Sequence, residues 1–319
     1  MSISYNESVP LPLAQIPARS PWQAFVAQAA RTQAAARHRT SRLLALWHLT
    51  SFDAPTVAIV WSLAFAWAAG IPLPGWAPLL LALMAWSAYV GDRLLDARAG
   101  LRDAERHPLH ERHLFHWRHR RILIPLAAGA LLAAARIIFV QMPHTSLTPN
   151  SLLGAAAFAY FSGVHSHRKL PRLATKEVLV GVIFTAACML PVWLRMGTAA
   201  RHPEHGGALL VLGIFFAALA WFNCFAIAQW ESTDARMLQR ISVARSACLL
   251  ALAGALLAGS LFAYRPRAAA LLMAAALSAL LLALLDRNRH RLAPLALRAA
   301  ADFVLLTPIL LLPFAHLRG

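Results

Sequence analysis

Apolar positions along the chain gather into nine nearly unbroken runs instead of alternating or recurring on one helical stripe. They are Ala54 to Gly70, Trp76 to Gly91, Ile122 to Val140, Leu152 to His165, Val178 to Leu194, Ala208 to Trp230, Ala247 to Tyr264, Ala268 to Leu285 and Ala299 to Ala315. Runs of this kind predict helices that are apolar on every face, as membrane spans are. Several fall a little short of the roughly 20 residues a bilayer core needs, so flanking residues must complete those turns. The expectation is an all-α, polytopic membrane protein with nine transmembrane helices. The connections alternate in character: "IPLPG" (71 to 75) and "YRPR" (264 to 267) are short and turn-like, whereas those on the other side are long and polar. No connection is long enough for a second folded domain, so residues 46–319 read as one transmembrane domain. Ahead of it, residues 1–45 lack the apolar core of a cleaved signal peptide. There "WQAFVAQAARTQAAARHR" (22 to 39) spaces Trp22, Phe25, Val26 and Ala29 at helical intervals before a basic end. This predicts an amphipathic helix lying on the inner membrane surface, within a cytoplasmic N-terminal segment.

Composition sharpens this picture. With 59% hydrophobic residues, 13% charged residues and a mean hydropathy of +0.57, the chain is too apolar for a soluble domain of its size. The net charge of +17 first reports orientation, because Lys and Arg concentrate in cytoplasmic connections. With the N-terminus inside, the inner segments hold 24 of the 30 basic residues, and the chain ends outside. The basic residues follow the connections and not one folded face, so a nucleic-acid partner has no support beyond the high isoelectric point. Only two lysines accompany 28 arginines, which points to a GC-rich genome and a bacterial inner (cytoplasmic) membrane. Cys188, Cys224 and Cys248 sit in or beside apolar spans without paired spacing and read as free core thiols.

Two polar clusters interrupt this pattern where spans end. "YVGDRLLDARAG" (89 to 100) places Asp92 and Asp96 four residues apart on one helical face at the cytoplasmic end of the second run. Like charges so placed repel and require a cationic partner. Loop arginines such as Arg93 or Arg98 would suffice; so would Mg²⁺ bridging a diphosphate, because hard cations choose oxygen ligands. The sixth run ends "WFNCFAIAQWESTDARM", where Asn223, Glu231 and Asp234 occupy roughly one face of a continuing helix. Asn223 lies well inside the apolar run, where an amide needs a partner or a polar cavity. By topology both clusters reach the cytoplasmic surface.

With these clusters the sequence resembles the UbiA superfamily of intramembrane prenyltransferases over nearly its whole length. That family has nine transmembrane helices around a cytoplasmic-side polar cavity, with aspartate motifs NxxxDxxxD and DxxxD ending helices 2 and 6. Asp92 and Asp96 match the last two acids of the first motif, "RHPL" (106 to 109) is similar to the Arg-Pro segment that follows it, and "KEVLVGVIF" from Lys176 to the start of the fifth helix. Ala88 stands where Asn is usual and Tyr89 where a further Asp is common. Neither Glu231 nor Asp234 restores the second DxxxD, because Ile227 or Trp230 holds the partner position. The resemblance implies Mg²⁺-dependent transfer of a prenyl group from a prenyl diphosphate to a hydrophobic aromatic or lipid acceptor. It gives Asp92, Asp96 and Glu231 the catalytic metal-ligand role, with Asp234 and Asn223 in support. Arg93, Arg102, Arg106, Lys169, Arg172 and Lys176 form a pool of diphosphate contacts, Arg106 and Lys176 foremost. The altered second motif leaves an alternative: a UbiA-like protein that binds or carries an isoprenoid lipid, or acts as an accessory subunit.

Other polar positions have simpler readings. His107, His110, His113, His116 and His119 recur every third residue, a spacing that drifts around a helix, so a loop helix at headgroup level is expected before a metal site. Arg298 and Asp302, four apart, read as an ion pair; Asp53, before Pro55, reads as the N-cap of the first span. Arg136 can snorkel to the outer headgroups. "DARAGLRD" begins like a CDP-alcohol phosphatidyltransferase motif but lacks the downstream glycine and acid pair.

Overall fold

A computed structural model describes residues 42–102, 110–165, 173–199, 203–232 and 242–315, and among these all regular structure is helical, joined by short turns. The chain divides into Met1–Leu43 and a compact unit, Leu44–Gly319. The helices are α1 (Arg42–Leu49), α2 (Asp53–Ala69), α3 (Trp76–Arg102), α4 (Glu111–Arg118), α5 (Arg120–Gln141), α6 (His144–His165), α7 (Leu173–Ala199) and α8 (Pro203–Glu231). They continue with α9 (Val243–Leu261), α10 (Pro266–Asn288), α11 (Pro294–Phe303) running into a 3₁₀ stretch (Val304–Leu311), and a final turn α12 (Leu312–Ala315). The surface helix expected at 22–39 lies outside the described residues.

All nine apolar runs are helical. Six segments among the described residues are long and apolar enough to cross a membrane: Arg120–Gln141, Glu177–Met196, Gly206–Glu231, Val243–Leu261, Pro266–Arg291 and Pro294–Leu311. Counting the bent pair α1–α2 as one span gives seven. Trp76–Arg102 and His144–His165 fall short because Asp92, Arg93 and Asp96 end the first, while His144, Thr145, Ser146 and Asn150 open the second. A multi-pass membrane protein follows, with large side chains such as Phe139 (87% exposed) and Leu132 (73%) facing outward, as lipid-contacting residues do.

Local chemistry sets the helix limits. Proline stands at the first position of α10 and α11, where its missing N–H costs nothing. Gly70, at φ 69°, closes α2 in the left-handed region. The packing is close where small residues permit it: a Cβ on Gly181 of α7 would lie 2.9 Å from both Ala217 O and Trp221 N of α8. The core is aromatic and aliphatic, with Trp61 of α2 stacked on Phe216 of α8 at 3.8 Å between ring centroids. The indole N–H of Trp61 donates to Leu305 O at 2.8 Å, tying α2 to the 3₁₀ stretch. Cys188, Cys224 and Cys248 are free thiols, as the sequence predicts.

Candidate functional site: a charged end above an apolar cavity

The helices α1 and α2 meet at 88°. Ser51 in the bend has a φ of 62°, an uncommon backbone state for a residue other than glycine. The bend brings His48 back against Asp53: His48 Nδ1 lies 2.5 Å from Asp53 Oδ2 and 3.4 Å from Asp302 Oδ2 of α11. Asp53 is the first residue of α2, after an N-cap at Phe52, and its Oδ1 accepts from Ala54 N–H at 2.9 Å. It is therefore not the N-cap that the sequence predicts. Its second oxygen turns inward, where Arg93 Nη2 donates to it at 3.2 Å and Arg93 Nη1 donates to His48 O at 2.5 Å. Asp302 Oδ1 accepts from Asn223 Nδ2 of α8 at 3.1 Å. The polar group buried in the sixth apolar run thus meets an acid of the last one.

A second group adjoins it. Both oxygens of Glu231 accept from Arg298 Nη1, at 2.8 and 2.9 Å, and Oε1 also accepts from Arg112 Nη1 at 3.1 Å. Arg298 therefore pairs with Glu231 of α8 instead of the expected Asp302, whose own oxygens are turned to His48 and Asn223. Helix α4 docks here through buried side chains: His116 Nε2 is 3.0 Å from Ser51 Oγ, and His113 Nε2 is 3.7 Å from Asp96. Burial holds both imidazoles well below their ordinary range, His113 at about 3 and His116 at about 4, with Arg112 adding to the effect at His113. Desolvation, then repulsion from Arg298, lowers the Arg112 guanidinium to about 10. The threefold histidine spacing thus serves docking, since two of these rings face inward and His119 Nδ1 bonds Phe115 O within the segment.

A third group gathers on α3, α6 and α7. The hydroxyl of Tyr160 is shaped first by its own burial and then by the fields of Asp92, Cys224, Glu177 and Asp96. Charges of carboxylates on α3 and α7 thus reach one tyrosine of α6. Cys224 also acts electrostatically on Tyr89, as do Asp53 and Asp302 of the first group. Toward the opposite end, the same three helices and α5 enclose a cavity of about 400 Å³. Its walls are chiefly apolar, among them Leu81, Leu153, Ala187 and Pro191, with Asn150 and Arg195 as polar members.

Helical geometry relates this cavity to the acids. Leu81 precedes Asp92 by 11 residues, Leu153 precedes Tyr160 by 7, and Pro191 follows Glu177 by 14. At 3.6 residues per turn these offsets are close to three, two and four whole turns, so each pair shares a helix face. At 1.5 Å per residue the separations are about 10 to 21 Å. One face of each helix thus carries oxygen donors at one end and apolar wall at the other.

The sequence-predicted site residues separate into distinct surroundings. Asp92 and Asp96 act electrostatically on Tyr160 together with Glu177, to which the sequence assigns no role. Glu231 is held by two guanidiniums, Asn223 by Asp302, and Arg93 by Asp53 and His48. Lys176 lies on the first turn of α7 and Arg102 on the last of α3; Arg106, Lys169, Arg172 and Asp234 lie outside the described residues. The sequence reads Asp53 as an N-cap and Asp302 as the ion-pair partner of Arg298, and assigns His48 no role. The available signal was their type: ionisable side chains in or beside apolar runs mark sites more often than packing. No family model matches the chain, and no curated protein or solved structure does either.

Proposed function

We propose that this protein is an intramembrane transferase of the UbiA type, moving a prenyl group from a prenyl diphosphate to a hydrophobic aromatic or lipid acceptor. One observation carries the reading: the carboxylates of α3 and α7 and the Tyr160 hydroxyl of α6 share helix faces with an apolar cavity, a placement suited to a ligand with a charged head and a long apolar tail. The carboxylates of Asp92, Asp96 and Glu177 offer oxygen donors, the chemistry Mg²⁺ selects. Glu231 does not fit that role, because guanidiniums already occupy both its oxygens. Bound there, Mg²⁺ would supply positive charge to a diphosphate head. The basic residues flanking α3 and α7, Arg102, Arg106, Lys169, Arg172 and Lys176, would share in neutralising it. In the reaction the allylic carbon–oxygen bond breaks, the diphosphate leaves with the electron pair, and the acceptor atom bonds to carbon and loses its proton to solvent or a nearby base. The bundle is read as nine spans in a bacterial inner membrane, N-terminus cytoplasmic and C-terminus outside, which puts the acids at the cytosol.

A second reading, an isoprenoid-binding or accessory protein without catalysis, is favoured by the engagement of Glu231 and Asn223, the members of the second motif among the described residues. Mg²⁺ discriminates the two: it tightens prenyl diphosphate binding in the transferase and need not in the carrier. The test is turnover of prenyl diphosphates by purified protein with and without Mg²⁺. Asp92→Ala with Asp96→Ala should abolish it while expression and insertion persist. An active double variant overturns the metal assignment.

A further inference from the structure

His48, Asp53 and Asp302 form a group distinct from the acids of α3 and α7. Their ligand-capable atoms all lie within 4.8 Å of one another. One imidazole nitrogen, Nδ1, stands 2.5 Å from one carboxylate oxygen and 3.4 Å from another. That nitrogen can give only one proton, and two acids compete for it. The ring's Nε2 is fully buried and has no hydrogen-bond partner among the described residues. A second observation points the same way. Asn223 is 3% exposed and donates to Asp302, yet its own carbonyl oxygen Oδ1 has no partner among the described residues.

We propose that His48 Nδ1, Asp53 Oδ2 and Asp302 Oδ2, with Asn223 Oδ1 as a fourth donor, bind one divalent transition-metal ion of the zinc or manganese class. Mixed imidazole and carboxylate donors suit such ions better than the all-oxygen set that Mg²⁺ prefers. Bonds of about 2.1 Å put neighbouring donors roughly 3 to 3.4 Å apart. The His48–Asp302 edge has that length now, and the His48–Asp53 edge opens by about 0.5 to 1 Å as a proton gives way to the ion. Arg93 contacts Asp53 among the two acids, so with a neutral ring His48, Asp53, Asp302 and Arg93 together carry a formal charge of −1 before the ion enters. Arg93 Nη2 donates to the same Asp53 oxygen at 3.2 Å and would orient it toward the ion. Asp302 retains 21% side-chain exposure against 0% and 2% for His48 and Asp53, giving the ion and its waters one open edge.

The test is a Co²⁺ titration of tag-free, EDTA-treated full-length protein in detergent, followed by visible absorption. Wild type should develop a ligand-field spectrum saturating at one equivalent and displaced by Zn²⁺. Asp302→Asn, isosteric and at the open edge, should weaken binding by about 100-fold or more. Asp92→Asn with Asp96→Asn should leave the spectrum unchanged, so the outcome is independent of the transferase reading. Absence of a spectrum in the wild type overturns the site. So does a spectrum that survives Asp302→Asn, which would assign the metal to the histidine-rich segment around α4.

Discussion

Replacing Glu231 with Gln keeps the side chain's shape and removes its charge, leaving Arg112 and Arg298 without the carboxylate that both now contact. The three contacts lie at 2.8 to 3.1 Å, and the side chains retain 27% (Glu231), 13% (Arg112) and 24% (Arg298) exposure. Exposed ion pairs contribute up to about 1 kcal/mol, and breaking a fully buried one costs about 3 to 5. This half-covered trio falls between, so Glu231→Gln should cost about 1 to 3 kcal/mol. In a chain of this size that lowers the unfolding midpoint by about 2 to 6 °C. A cycle with Arg298→Gln should return a coupling of about 1 to 2 kcal/mol. Thermal unfolding in detergent, followed by a thiol-reactive dye, reads this directly, because Cys188 is completely buried until the bundle opens. Magnesium-dependent prenyl diphosphate binding should persist in the variant. An unchanged midpoint together with lost magnesium dependence would make Glu231 a metal ligand and refute the ion-pair assignment.

Three further outcomes are expected. His113 and His116 stay neutral when docked, while undocked rings take a proton near pH 6.5, so docking of α4 weakens as pH falls below that value and levels off near 3 to 4. From pH 7 to pH 5 each ring costs up to about 2 kcal/mol, which hydrogen exchange of the α4 amides should register; protection that rises on acidification contradicts it. Gly181→Ala forces a methyl against the α8 backbone and should destabilise by about 1 to 3 kcal/mol, whereas an unchanged midpoint would mean that α7 and α8 are not in close contact. Gly154 lines the cavity and a Cβ there meets nothing within 4 Å, so Gly154→Leu should leave stability within about 0.5 kcal/mol. It should weaken binding of long prenyl diphosphates more than short ones; equal effects on both would place the tail elsewhere.

The membrane class and the helices were legible because a bilayer demands long apolar runs, and every predicted run is helical. The first acid pair was legible for a related reason: Asp92 and Asp96 interrupt such a run at helical spacing, which sequence order alone exposes. Partners across the bundle were not. Glu177 sits beside Lys176 near the start of α7 and looks like an ordinary helix start; its electrostatic effect on Tyr160 of α6 depends on how the helices pack. Asp302 has an arginine four residues back, so the local reading paired them, while Glu231, 67 residues from Arg298, claims the guanidinium. Asp53 has the sequence of a cap, but the 88° bend behind it turns one oxygen into the interior. Local patterns report spacing along one helix, and these contacts join different helices.

The alignment of a charged head site with an apolar tail cavity is tested most directly by a prenyl diphosphate carrying a diazirine at its far end. Photolysed on purified protein with Mg²⁺, it should label α6 and α7 at positions lining the cavity, such as Leu153 and Ala187, and labelling should fall sharply with EDTA or with Asp92→Asn and Asp96→Asn. Labelling spread over the outward faces of α9 and α10, or unaffected by Mg²⁺ and by both substitutions, would contradict it.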